Sequence, residues 1–274
     1  MSDLSLTSTI TLNNGVRIPV LGLGTFKVPN DQAYSVVRQA LDLGYRHIDT
    51  AAYYANEEGV GRAIRESGVP REEVFVTTKL WNTDHGRRET LAAFERSLKL
   101  LDLEYVDLYL VHWPRGEREE TWKAMERLLE EGSARAIGVS NYTIRHLEET
   151  IGRSYVVPAV DQVEFSPFLY QKELLSYCRT VGVVLEAHSP LTRGSKLNDP
   201  RLMELAKKYE RSPAQMMIRW VLQKGMVVIP KSVHRERLIE NAGALDFNIS
   251  SEDVAIMDSF DEGLHTTWNP EDIP

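Results

Sequence analysis

Apolar segments recur along this chain at steps of roughly 20 to 45 residues, about one strand-helix unit each, and each closes on a polar side chain. Asp49 closes Tyr45-Arg46-His47-Ile48, Lys79 closes Val74 to Thr78, and His112 closes Val106 to Val111. Ser140 and Asn141 follow Ala136-Ile137-Gly138-Val139, and Gln162 and Glu164 lie in the next segment. His188 closes Val183 to Ala187, and Lys231 follows Val227-Val228-Ile229-Pro230. The pattern predicts strands near 20–23, 46–49, 74–79, 106–112, 135–140, 159–164, 183–188 and 226–230. Helix-period stretches fit between them at 31–43, 57–67, 86–101, 118–131, 144–151 and 170–181. The interval before the eighth strand holds two more, at 199–209 and 213–223, the second opened by Ser212 as N-cap with Pro213 at the first helical position. A last helix starts after Ser250. Ahead of everything, Ile10 and Leu12, then Asn13-Asn14-Gly15, then Val16 and Ile18 read as a β-hairpin, since Asn-Gly is a strong hairpin signal.

Eight strands alternating with helices, with no Pro/Gly/Ser-rich linker between them, favour a (β/α)8 TIM barrel over a doubly wound sheet. The expected organisation is one barrel domain over residues 1–274, with an N-terminal hairpin and extra helices before strand eight and at the C-terminus. In such a fold, strand-end side chains share the carboxyl-terminal face, where sites are built.

Composition adds limits. At 42% hydrophobic and 26% charged, the chain reads as an ordinary globular protein. A net charge of −8 argues against a general nucleic-acid surface but leaves room for a local basic pocket. Cys178 is the only cysteine, as expected of a reducing compartment. Met1 to Ile10 carry no secretory signal pattern, and no apolar run approaches the ~18 residues of a membrane span. The expectation is a cytoplasmic monomer with a small-molecule substrate and no nucleic-acid or membrane partner. No His-Glu-x-x-His or clustered Cys/His spacing suggests a metal.

Asp49, Tyr54, Lys79 and His112 sit at or just after the ends of strands two, three and four, so they can converge. A phenol with a pKa near ~10 is a poor acid at neutral pH. A neighbouring ammonium lowers that value, and a carboxylate keeps the lysine charged and in place. His112 can orient a carbonyl oxygen or relay a proton. One such residue at a strand end is usually a loop hydrogen-bonder; four on successive ends point to chemistry. Phe26, Trp81 and Trp113 follow strand ends on the same face and suit a pocket wall, and Trp268 in the tail suits a lid. Pro230-Lys231-Ser232, with Arg235 and Arg237 beyond, opens the helix after strand eight and suits a phosphate. No Gly-x-Gly-x-x-Gly run follows any strand, so a nucleotide would not be held in the Rossmann manner.

Three separated motifs resemble those of the aldo-keto reductases. Gly44 to Ala51, then Glu57 and Gly61, resembles the first signature; Ala136 to Tyr142 the second; Ile229 to Ser232, then Arg237, Glu240 and Asn241, the third. Similarity runs from about residue 10 to 262, most of all to the bacterial branch with 2,5-diketo-D-gluconate reductases and the prostaglandin F synthases. The resemblance implies a barrel that binds NADPH in extended form and reduces aldehydes and some ketones. It implies Tyr54 as general acid, Lys79 as the partner that lowers its pKa, Asp49 as the counter-ion and His112 as carbonyl orienter. Ser140, Asn141 and Gln162 would hold the nicotinamide carboxamide. Lys231, Ser232, Val233 and Arg237 would surround the 2′-phosphate, and Glu240 and Asn241 the adenine. His188-Ser189-Pro190-Leu191 stands where the family has Trp or Tyr before its Pro-Leu, an imidazole in place of a larger stacking ring. Thr192 and Arg193 depart from the usual Leu-Gly-x-Gly, and Asp161 replaces an asparagine. Two other readings of the residues stand beside this one: a Schiff-base aldolase on Lys79, and a cofactor-binding sensor without turnover.

Overall fold

The computed structural model describes residues 4–273; the ends of the expected domain, 1–3 and 274, lie outside the described residues. The hairpin forms as expected: β1 (Thr9–Thr11) pairs antiparallel with β2 (Arg17–Pro19). Gly15 takes the left-handed backbone its turn needs, at φ 86°. The hairpin is a plug. Leu12 and Ile18 pack with Phe75, Leu108, Leu110, Val160 and Val227 inside the barrel. Asn13 and Asn14 donate to the carbonyls of Pro158 and Arg135, which precede two barrel strands. The amino end is therefore closed.

The barrel strands are β3 (Leu23–Gly24), β4 (His47–Asp49), β5 (Phe75–Leu80), β6 (Leu108–Val111), β7 (Ile137–Ser140), β8 (Val160–Glu164), β9 (Val184–His188) and β10 (Val227–Val228). They form one parallel sheet in chain order. Bridges Leu21↔Val228 and Gly24↔Lys231 join its two edges into a barrel. A Cβ on Gly24 would lie 2.9 Å from the Ile229 carbonyl, so that closure needs glycine. Strands read as long apolar runs are shorter here, because only the stretches paired across the ladder count as strand.

Around the sheet run α1 (Asn30–Asp42), α2 (Glu57–Arg65), α3 (Arg87–Leu101), α4 (Arg118–Glu130), α5 (Ile144–Ile151) and α6 (Lys172–Val181). Then come the two extra helices before the last strand, α7 (Pro200–Lys208) and α8 (Pro213–Gln223), followed by α9 (Arg235–Ala242) and α10 (Ser251–Asp258). Ser212 caps α8 as anticipated, accepting from the Gln215 N–H at 3.2 Å, while the Gln215 side chain accepts from the Ser212 N–H.

Alternation along each strand separates two cores. Ile48, Val76, Leu80, Val163, Leu185 and Ala187 face the helices. Their neighbours at i±1 face the barrel interior. That interior is apolar at the hairpin end, where Phe75 and Val160 sit, and polar two and four residues further on.

Candidate active site

The carboxyl ends of the strands enclose a cavity of about 820 Å3. Asp49 ends β4, and the short helical turn Ala52–Tyr54 that follows brings the Tyr54 ring back over the strand end. Ala55 ends that turn in the left-handed region at φ 52°. The register Asp49↔Thr77 leaves Lys79 one inward step higher on β5. Its ammonium donates to Asp49 Oδ1 at 2.6 Å, to the Thr50 carbonyl at 2.9 Å and to the Tyr54 hydroxyl at 3.4 Å. Lys79 is fully buried and meets the cavity through Asp49 and Tyr54, which both line it. His112, just past β6, sets its ring edge-on to Tyr54, with centroids 5.6 Å apart. All four expected residues therefore meet.

Their charge states follow from burial and pairing. Burial works against the Lys79 charge, but Asp49 and Tyr54 outweigh it and hold the ammonium above its ordinary value. Burial pushes Asp49 up, and Lys79 opposes it. Burial, then Lys79, hold His112 well below its ordinary value, so it is a neutral imidazole. Burial raises the Tyr54 phenol and Lys79 lowers it, as its expected role requires, but burial is the larger and the phenol lies above its ordinary value. Tyr54 is thus a protonated donor at neutral pH, and the ammonium beside it stabilises the phenolate left after donation.

The rest of the cavity runs away from Tyr54. Ser140 and Asn141 follow β7; Asn141 stands at φ 61°, donating to Ser140 Oγ and to the His112 carbonyl, both at 3.0 Å. His188 Nε2 lies 3.0 Å from Asn141 Oδ1. Burial drives His188 down to about 4, so this ring is neutral. Ser189, Pro190 and Leu191 continue the wall, and Arg193 follows at φ 51°. Lys231, Ser232, Val233, Arg237, Glu240 and Asn241 line the far end. Lys231 is pushed below its ordinary value by burial and then by Arg237 and Lys27. A pocket that crowds cations in this way is one an anion fits.

On the substrate side, Phe26 tilts against Tyr54 at 5.1 Å, and Tyr53 stacks on Trp81 at 3.8 Å. Trp113 and Trp268 meet at 5.4 Å. What holds Trp268 there is Glu164 at the end of β8. Its carboxylate accepts from the backbone N–H groups of Thr266 and Thr267 and from both threonine hydroxyls.

Every expected site residue except Lys79 and Arg235 thus borders one cavity. Sequence reasoning missed Lys27, Tyr53 and Glu186. Lys27 left a signal in following Phe26 at a strand end. Glu186 was hidden as one charge inside an apolar run. Lys27, Asn141, Ser189 and Arg193 all line the cavity with φ between +50° and +61°. Such strained backbone gathers at functional sites.

By its geometry, then, the molecule is a (β/α)8-barrel enzyme with its cavity at the carboxyl face. The model of the Aldo/keto reductase family matches residues 20–262. The chain is 50% identical to a glyoxal reductase of Bacillus subtilis, covering 98% of each chain. It is 48% identical to a 9,11-endoperoxide prostaglandin H2 reductase of Trypanosoma cruzi, over 96% of this chain and 95% of that one. An aldo-keto reductase of Bombyx mori, solved in complex with NADP, superposes with a TM-score of 0.90 at 36% identity, over 97% of this chain and 96% of that one. This protein belongs to the aldo/keto reductase family. It is an oxidoreductase that reduces carbonyl groups.

Proposed function

We propose that this chain reduces aldehydes and some ketones with Tyr54 as the general acid. The observation that carries the reading is the chain of contacts Asp49–Lys79–Tyr54, which opens to the cavity at the phenol. NADPH, when bound, supplies the hydride. Tyr54 donates its proton to the carbonyl oxygen, Lys79 stabilises the phenolate, and Asp49 keeps Lys79 charged and in place. His112, neutral, offers an N–H to orient the carbonyl. Ser140, Asn141 and Gln162 hold the carboxamide; His188 to Leu191 line the nicotinamide and pyrophosphate; Lys231, Ser232, Val233 and Arg237 take the 2′-phosphate, and Glu240 and Asn241 the adenine. The clustered cations at that end support the assignment. Phe26, Trp81 and Trp113, with Trp268 as lid, suit a carbonyl carried on an apolar or flat group.

The geometry disfavours a Schiff base on Lys79, since that ammonium is buried, charged and triply engaged. A pure sensor has no use for Tyr54. We place the protein in the cytoplasm as a monomer of one barrel domain over residues 1–274. Its single cysteine, Cys178, is buried, and no helix of the described residues is long and apolar enough to cross a membrane.

The test is oxidation of NADPH by the purified protein with glyoxal, an aromatic aldehyde and a sugar-derived ketone. The Bacillus relative's name puts small α-dicarbonyls first. No turnover of any of them sinks the proposal.

A further inference from the structure

One buried carboxyl inside the barrel, Glu186, has no part in the chemistry above. Gln162 and Glu186 are register partners on β8 and β9, and both turn into the barrel. Gln162 Nε2 donates to Asp49 Oδ2 at 2.8 Å and to Glu186 Oε2 at 2.8 Å. Asp49 Oδ1 is held by the Lys79 ammonium. An amide atom set between two carboxyl oxygens, one of them in an ion pair, has to be the nitrogen. Both N–H groups are then committed. The polar atom Gln162 has left for the cavity it lines is the acceptor Oε1. With Asp49 alone, one hydrogen would be held and the amide could turn.

Nothing else explains Glu186 as well. It is wholly buried, with neither solvent nor an ammonium in contact; His47 Nε2, which also meets Thr77 Oγ1 at 3.2 Å, stands 3.5 Å from its Oε1. The charged and titratable groups facing it are Asp49 and His47 on β4, Lys79 on β5 and Tyr54 in the turn after β4. A carboxyl in such a place is costly to keep unless it holds something. Burial and then Asp49 push it up to about 8. Protonated or not, its Oε2 still accepts from Gln162, so its hold on the amide survives either state.

We propose that Glu186 is a positioning residue: with Asp49 it fixes the Gln162 amide so that Oε1 meets the NH2 of the nicotinamide carboxamide, making the site selective for a pyridine bearing a primary amide. The inference rests on the cofactor reading above.

Three ligands separate the possibilities by direct titration: NADP+, its 3-acetylpyridine analogue, which has a methyl in place of the NH2, and 2′-phospho-ADP-ribose, which has no pyridine. The parent protein should bind NADP+ about tenfold tighter than the acetylpyridine analogue, the effect of roughly one hydrogen bond. In E186M that ratio should fall to within about twofold, while 2′-phospho-ADP-ribose binds as before. E186Q should keep the preference, because its side-chain oxygen accepts in place of Glu186 Oε2. The inference is overturned if the ratio is unchanged in E186M, or if NADP+ and 2′-phospho-ADP-ribose weaken together, which is plain structural damage. A parent that binds NADP+ and the analogue equally overturns it without any variant, so an unfolded E186M does not shield it. A parent that binds none of the three sinks the cofactor reading instead.

Discussion

The two ends of the cavity are built on opposite principles. At the Tyr54 end every charge is buried and paired: Lys79 is saturated by Asp49, Thr50 and Tyr54, and Gln162 ties Asp49 to Glu186. At the Lys231 end, cations crowd one another instead: burial, then Arg237 and Lys27, push the Lys231 ammonium down. A saturated cluster is organised before anything binds, which suits a group that must present a proton at a fixed place. A crowded cationic pocket is relieved by an anion, which suits binding. The first end should thus govern rate and the second affinity.

The largest effect should come from breaking the first end. Tyr54→Phe removes the proton donor and is expected to cut carbonyl reduction by ~10²–10⁴-fold while NADPH binds normally. Stopped-flow turnover beside a fluorescence titration reads both, and near-normal turnover refutes the role of Tyr54. Lys79→Met should be comparably damaging and should move the alkaline limb of the rate profile upward, as the phenolate loses its counter-charge.

At the second end, charge-assisted contacts contribute roughly 1.5–3 kcal/mol each before desolvation. Arg237→Ala should therefore weaken NADPH about tenfold and NADH much less, with turnover at saturation nearly unchanged. Raised salt should weaken NADPH preferentially in the parent. Equal affinity for the two cofactors in the parent protein would make this cluster an ordinary solvated helix end.

The buried end also predicts how stability varies with pH. Glu186 sits at about 8 in the folded protein, against 4.5 unfolded. Between those values the native state holds the extra proton, so stability falls as pH rises through the window. His47, at about 3 folded against 6.5, charges only in the unfolded chain across that range, so its contribution is lost as pH falls from 6.5 towards 3. E186Q should flatten the loss between pH 6.5 and 8, steepen the gain from 4.5 to 6.5 that Glu186 opposes in the parent, and leave the behaviour below 4.5 as it was. Parallel melting curves for parent and variant across that range would contradict this.

The smallest effect tests the rim. Glu164 holds the tail at the cavity rim, so Glu164→Gln, which keeps shape but weakens the charge-assisted contacts to Thr266 and Thr267, should raise KM for aromatic aldehydes by about threefold. Glyoxal, too small to reach Trp268, should be unaffected in KM and kcat. Equal effects on both substrates would place Glu164 in the general scaffold.

Much of this was written in the order of the residues. Alternating apolar runs and helical stretches gave the barrel, because a strand that ends on a polar residue and is followed by an amphipathic helix has few other ways to fold. Ser212-Pro213 marked the start of α8, and Asn14-Gly15 the hairpin, because capping and turn chemistry are local. Strand-end positions singled out Asp49, Tyr54, Lys79, His112 and Lys231 from the chain alone, because the carboxyl ends of successive strands share one face.

Three things needed the tertiary structure. Strand lengths depend on which residues find partners across the ladder, which no single segment determines. The charge state of Tyr54 depends on the balance between burial and one ammonium, and burial wins by a packing no spacing reveals. The place of Glu186 depends on inward alternation bringing β4, β5, β8 and β9 to one point inside a closed barrel. Read along the chain it is a lone charge in an apolar run; across the barrel it is the second hold on Gln162.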